Sequence, residues 1–155
     1  MDFEVLKRTM VEDKGLIRHL VKGLSSERAR WKPDSDTWSV LEVVNHLADE
    51  EAEDFRAALD PILHDPDGPW PPIDPMNWVS ERAYNMRALE ASLERFLEER
   101  DRSLTWLDSL DSPDWSAEVH APHGTMRAGD VIASWVVHDQ WHIQQLVQLR
   151  RAYVA

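Results

Sequence analysis

Residues 129–153 read GDVIASWVVHDQWHIQQLVQLRRAY. No proline interrupts them, and Val131, Trp135, His138, His142, Leu146 and Leu149 recur at helical spacing along one stripe. The spacing predicts a long amphipathic helix from about Gly129 to Tyr153, whose apolar seam carries two histidines. Working outward toward the N-terminus, residues 111–128 contain Pro113, Pro122 and Gly124 and read as a loop, with a short extended piece around Thr125. From about Trp78 to Leu110, the residues Ala83, Met86, Leu89, Leu93, Phe96, Leu97, Leu104 and Leu107 mark the inner face of another helix. Pro61, Pro66, Pro69, Pro71, Pro72 and Pro75 precede it. They exclude regular helix, so residues 61–77 are expected to be an ordered crossover that starts where Asp60-Pro61 stops the helix before it. That earlier helix opens at Trp38-Ser39, with Ser39 as N-cap and Glu42 three residues on, as in a capping box. Residues 25–37 read as a loop, and Phe3 to Leu24 as the first helix. Long amphipathic helices without convincing strands imply an all-α fold, a four-helix bundle with long crossover loops, formed by residues 1–155 as one domain.

Composition narrows the partners. The 155 residues carry 17 lysines and arginines against 29 acids, a formal net charge of −12. That field repels polyanions and no basic run offsets it, so no nucleic acid is expected to bind. Cysteine is absent, which excludes disulfides, thiolate zinc sites and a cysteine nucleophile together. The first residues do not read as a secretory signal, and Val131 to Val137, the longest run of apolar or small residues, is too short to span a bilayer. A cytoplasmic protein with a small-molecule substrate and no membrane partner is therefore expected. The eight tryptophans are expected to be core or interface anchors. Glycines are scattered singly and no GxSxG occurs, so neither a phosphate loop nor a serine hydrolase elbow is present.

The histidines carry the chemistry. His138 and His142 stand one helical turn apart, so their rings leave the same face about 6 Å from each other and can share a metal. Two inward imidazoles are costly to desolvate unless each nitrogen finds a partner, which a divalent cation supplies. Buried histidines bonded to carbonyls, carboxylates or water are the alternative reading of the same spacing. HDQWH resembles HExxH, but Asp139 replaces the glutamate and residues 143–155 hold no further ligand, so a metalloprotease is rejected. A di-iron carboxylate bundle is rejected because Glu-x-x-His occurs nowhere. His46, in VVNHLADEE on the second helix, is the best third ligand, and the three together would leave open positions for water or substrate. Metal affinity is then expected to fall below about pH 6, since a ligating imidazole must be neutral. Glu50, one turn from His46, is a fourth ligand, an orienter or a proton acceptor. Against that, Glu42, Asp49, Glu50, Glu51, Glu53, Asp54 and Asp60 face Arg56 alone, which favours placing Glu50 on a solvated acidic face. His120 and His123 fall in the loop before the last helix, where exposure is the commoner fate. His19 and His64 read as surface or core residues.

Three pieces together resemble the DinB superfamily of YfiT-like metal-dependent hydrolases. They are Trp38-Ser39-Val40-Leu41-Glu42 leading into Val44-Asn45-His46-Leu47, then His123-Gly124-Thr125-Met126, then His138-Asp139-Gln140-Trp141-His142-Ile143 with Gln145-Leu146. The likeness extends over nearly the whole chain. It implies that His46, His138 and His142 bind a divalent metal (zinc, nickel or manganese) inside a four-helix bundle, and that the protein is a homodimer. Some relatives use low-molecular-weight thiols, bacillithiol or mycothiol, and the resemblance thereby implies a thiol S-transferase or related hydrolase. In that reading the metal activates a thiol or water, and Glu50 or His123 moves the proton. The rival expectation is a non-catalytic bundle, a binding or stress-response module with a structural metal or none.

Overall fold

A computed structural model describes residues 2–68, 70–121 and 124–154. Helix α1 (Phe3–Val21) starts on the Asp2 carboxylate, which accepts from the backbone N–H groups of Glu4 and Val5. It ends at Val21 rather than Leu24, because Lys22 leaves the helical region and Gly23 takes a φ of +80°. A short helix α2 (Ser26–Arg30), capped by Ser25, occupies part of the stretch expected to be loop.

Helix α3 (Val40–Glu50) begins with the reciprocal box the sequence predicts. Ser39 Oγ accepts from the Glu42 N–H at 3.1 Å, and the Glu42 carboxylate accepts from the Ser39 N–H at 2.7 Å. All of its residues are buried. It continues through one π-helical turn (Glu51–Phe55) into α4 (Arg56–His64). Pro61 therefore does not stop the helix, contrary to expectation. A proline loses its own N–H bond and crowds the carbonyl four residues back, about 3 kcal/mol together, but its φ is helix-compatible. Ala58, Leu59 and Ile62 around it are buried in the core, and that burial offsets the cost.

The predicted helix from Trp78 to Leu110 is broken into three. Helix α5 (Pro75–Glu81) opens with Pro75 in its first turn, where a missing N–H costs nothing. Ala83 then adopts a left-handed φ of 47°, a single 3₁₀ turn (Tyr84–Met86) follows, and α6 runs from Leu89 to Ser109. Ala83 and Met86 are exposed instead of facing inward. The break turns Tyr84 and Arg82 onto the buried Asp49 carboxylate, to which both donate. The extended piece around Thr125 is a full hairpin: β1 (Glu118–Ala121) pairs antiparallel with β2 (Gly124–Arg127), Val119 opposite Met126. Helix α7 (Ala128–Ala152) follows directly.

The four long members are α1, the continuous α3–α4, α6 and α7. Helix α1 packs mainly on α7 and α6, α3 packs on α6 and α7, and α4 on α7. Helices joined by the 22–39 and 110–127 connections thus lie diagonally, which is why those connections are long: this is a four-helix bundle with crossovers. The apolar interior has two bodies. One gathers Ile17, Val21, Val44, Phe96, Leu146 and Leu149; the other gathers Met10, Leu59, Leu107, Ile132 and Trp135. Between them along α3 and α7 come His46, Glu50, Glu51, His138, Asp139 and His142.

Candidate metal centre

Helix α3 supplies His46, and α7 supplies His138 and His142. The structure brings all three together: His138 Nε2 lies 3.2 Å from His46 Nε2 and 3.1 Å from His142 Nε2. One donor nitrogen from each ring falls within 4.8 Å of the others, a set that could hold a metal ion. His46 and His142 are buried and His138 is half-buried. His138 thus sits on the shoulder of the apolar stripe, and Asp139, not His138, faces the core.

Aromatic rings hold these imidazoles. Trp38 stacks on His142 at 5.9 Å with 3° between the planes and meets His46 edge-on at 4.8 Å. Phe55, carried by the π-helical turn, lies 5.1 Å from Trp135 in a stacked pair and 5.3 Å edge-on from His138. Trp141 approaches His142 at 4.6 Å. Gln145 Oε1 accepts from His142 Nδ1–H at 2.9 Å, which leaves Nε2 of that ring as a lone pair.

That tautomer decides whether the trio satisfies itself. If His138 donates Nε2–H to His142, His46 Nε2 must present either a second N–H to the same proton or a lone pair in competition for it. No arrangement of neutral protons pairs all three, whereas one cation accepts all three lone pairs. Nitrogens bound to zinc at ~2.0–2.1 Å in a tetrahedral array stand roughly 3.3 Å apart, close to the spacing found. The Nδ1 atoms of His46 and His138 are buried with no partner among the described residues. Burial, followed by the mutual repulsion of the rings, pushes His46 down to about 3 and holds His138 lower still; burial pushes His142 down to about 4. The imidazoles are neutral at physiological pH, the form that ligates. The donor set fits a divalent metal.

Glu50 is not on a solvated face. It is 3% exposed, its Oε1 lies 3.5 Å from His46 Nε2, and burial next to Asp54 pushes its carboxyl up to about 9. With His46 neutral and Glu50 protonated, the contact is not an ion pair. Glu42, Asp49 and Glu51 are buried as well, so the acidic run on α3 is interior. Sequence spacing alone hid this, because their cations come from other elements. Asp49 takes Arg82, Arg95 and Tyr84, while Glu51 and Asp139 share the fully buried Arg100. Glu51 also accepts from Trp135 Nε1 at 3.0 Å. Asp139, which stands where the HExxH pattern has its glutamate, ties α7 to α6 through Arg100 at 2.6 Å.

A pocket of about 600 Å³ opens over the histidines. Its floor is His46, His138 and His142; its apolar walls are Trp38, Phe55, Pro75, Met76 and Trp141; Asp36 and Asp54 supply its charge, and the protonated Glu50 adds a polar group. Trp38 was visible in sequence as the entry to the second helix, and Gln145 as a polar residue one turn beyond His142. The placing of Phe55, Met76 and Trp141 at this pocket had no such signal. His120 is exposed and bonded to Thr125, His64 is exposed beside Asp60, and His19 is exposed. His123 lies outside the described residues. Among the described residues, no helix is long and apolar enough to cross a membrane.

Residues 11–146 match the family model of the DinB superfamily. Among solved structures, YfiT from Bacillus subtilis, described as "a probable metal-dependent hydrolase with an unusual four-helix bundle topology", shares the fold. The TM-score is 0.82 at 18% identity, over 96% of this chain and 85% of that one. No curated protein matches the chain.

Proposed function

The chain belongs to the DinB superfamily, and from that premise we propose that it is a metal-dependent enzyme, a thiol S-transferase or related hydrolase, with His46, His138 and His142 as its metal ligands. One observation carries the reading: three neutral imidazoles converge at the floor of an open pocket. A closed site would speak for a structural metal, while an open one leaves room for substrate. Zinc and nickel suit the imidazole donors, whereas manganese would call for oxygen ligands beside them. A divalent cation there supplies Lewis acidity, lowering the pKa of a thiol or water at neutral pH. The chain's own residues do the rest. Gln145 fixes the His142 tautomer, and Trp38 fixes the planes of two ligand rings. Glu50, protonated beside His46, can hand its proton to the departing group. Trp141, Phe55 and Met76 exclude water and seat the electrophile. The absence of cysteine is consistent with a nucleophile brought in from solution.

Elemental analysis of the purified protein tests the site. Near-stoichiometric metal in the wild type, lost in both His46→Ala and His142→Ala with helical circular dichroism retained, is the expected result. Protein that takes up no zinc, nickel or manganese when supplied removes the metal reading and leaves a binding module. Turnover of one electrophile with and without added thiol then separates transfer from hydrolysis.

A further inference from the structure

The pocket over the histidines does not end at Phe55. A cavity of about 390 Å³ shares Asp54, Phe55 and Pro75 with it and continues along Trp70, Ile73 and Met126. Another, of about 530 Å³, borders His138 and Trp141 and meets the previous one at Asp130 and Ser134. The three adjoin as one cleft. Among the described residues, no lysine or arginine lines any part of it, while Asp36, Asp54 and Asp130 do, beside the protonated Glu50. Glu50 Oε1 is buried there and finds no hydrogen-bond partner among the described residues. Four large aromatic side chains, Trp38, Phe55, Trp70 and Trp141, form the apolar surface.

Acids set in low-dielectric walls focus a negative potential into a cleft, and the net charge of −12 adds to it. Indole faces attract cations by their quadrupole. We propose that the molecule bound here is an organic cation: an ammonium or amidinium group on an apolar body. The charge lies against Asp54, Asp130 and the face of Trp141, and the body runs over Phe55 toward Trp70. An anion of the same shape meets carboxylates and no compensating cation along these walls. A thiol bearing free carboxylates is disfavoured for the same reason, and an uncharged or cationic thiol fits. This inference rests on reading the pocket as a substrate site, and it does not require the metal.

Phenethylamine and phenylacetate match in ring and length and differ in sign. Calorimetric titration of each into chelator-treated and metal-loaded protein compares them, the chelator arm removing any direct carboxylate–metal bond. The expected result in chelator-treated protein is amine binding about tenfold tighter than carboxylate binding. The margin should shrink several-fold in Asp54→Asn and, as a second and more exposed change, in Asp130→Asn. Phenylacetate binding as tightly as the amine, an amine affinity unchanged in both variants, or no binding of either probe overturns the proposal. Loss of metal uptake with the amine preference intact would sink the metal reading alone; metal uptake without the preference would sink this one alone.

Discussion

An imidazole buried away from any carboxylate anion titrates below its usual range, and each ring of the site does so. Their unfolded value is about 6.5, above the folded values of about 3 for His46 and about 4 for His142. The unfolded chain therefore binds more protons below about pH 6.5, so the stability these residues contribute is present above that point and is lost as pH falls toward the folded values. Glu50 has the opposite sign. Its folded value of about 9 exceeds the ordinary carboxyl value of 4.5, so its contribution is present below the unfolded value and is lost as pH rises through the folded one. In metal-free protein, Glu50→Gln should raise the melting temperature at about pH 8 and leave it nearly unchanged at about pH 4. Equal effects at the two pH values would mean that Glu50 is ionised in the fold. The same shifts move the metal window. Affinity expected to fall below about pH 6 from ordinary histidines should persist closer to pH 4, because the folded imidazoles stay neutral to that point. Metal retention measured against pH reads this directly.

At the scale of helices, Arg100 is the tie that links α6 across the bundle to α7 and to the π-helical turn. It is fully buried, donating to Glu51, Asp139 and the Met10 carbonyl. Arg100→Met leaves two buried carboxylates facing each other and should cost about 3–5 kcal/mol by urea unfolding, with much of the loss recovered when Glu51→Leu and Asp139→Leu are added. A loss below about 1 kcal/mol would place Arg100 among weak surface-like pairs. None of this ion cluster was legible in the sequence, because its members lie far apart in the chain and each looks like part of a polar helix face. The start of α3 was legible, since Ser39 and Glu42 bond each other locally. Pro61 and Ala83 misled for a shared reason. Burial of Leu59 and Ile62 carries a helix past a proline, and the Asp49 carboxylate pulls Tyr84 out of a periodic pattern that the surrounding residues would otherwise continue.

For the molecule as a whole, the −12 charge is the global term. Self-repulsion of the surface acids opposes the compact state, and added salt screens it over about 8 Å at physiological ionic strength. The melting temperature should therefore rise between low salt and about 0.15 M, while the buried Arg100 cluster responds little. A fall would show that exposed pairs such as Lys7–Asp108 and Lys14–Asp101 outweigh the repulsion. The bundle and the grouping of His46, His138 and His142 could be read at this scale because periodicity and spacing are local signals on each helix. The pocket walls could not. In an unbroken α-helix, nine residues at roughly 100° each put Phe55 on the opposite side from His46, and only the π-helical turn brings it back by roughly a quarter turn. That turn holds one residue more than an α-helix needs between Glu50 and Arg56. In genetic terms it is what a single-codon insertion leaves in a helix whose ends are already anchored. Removal of that codon restores a straight ladder and re-aims the side chains after it. Chain length at this one place is therefore a heritable setting for what the cavity presents to its ligand.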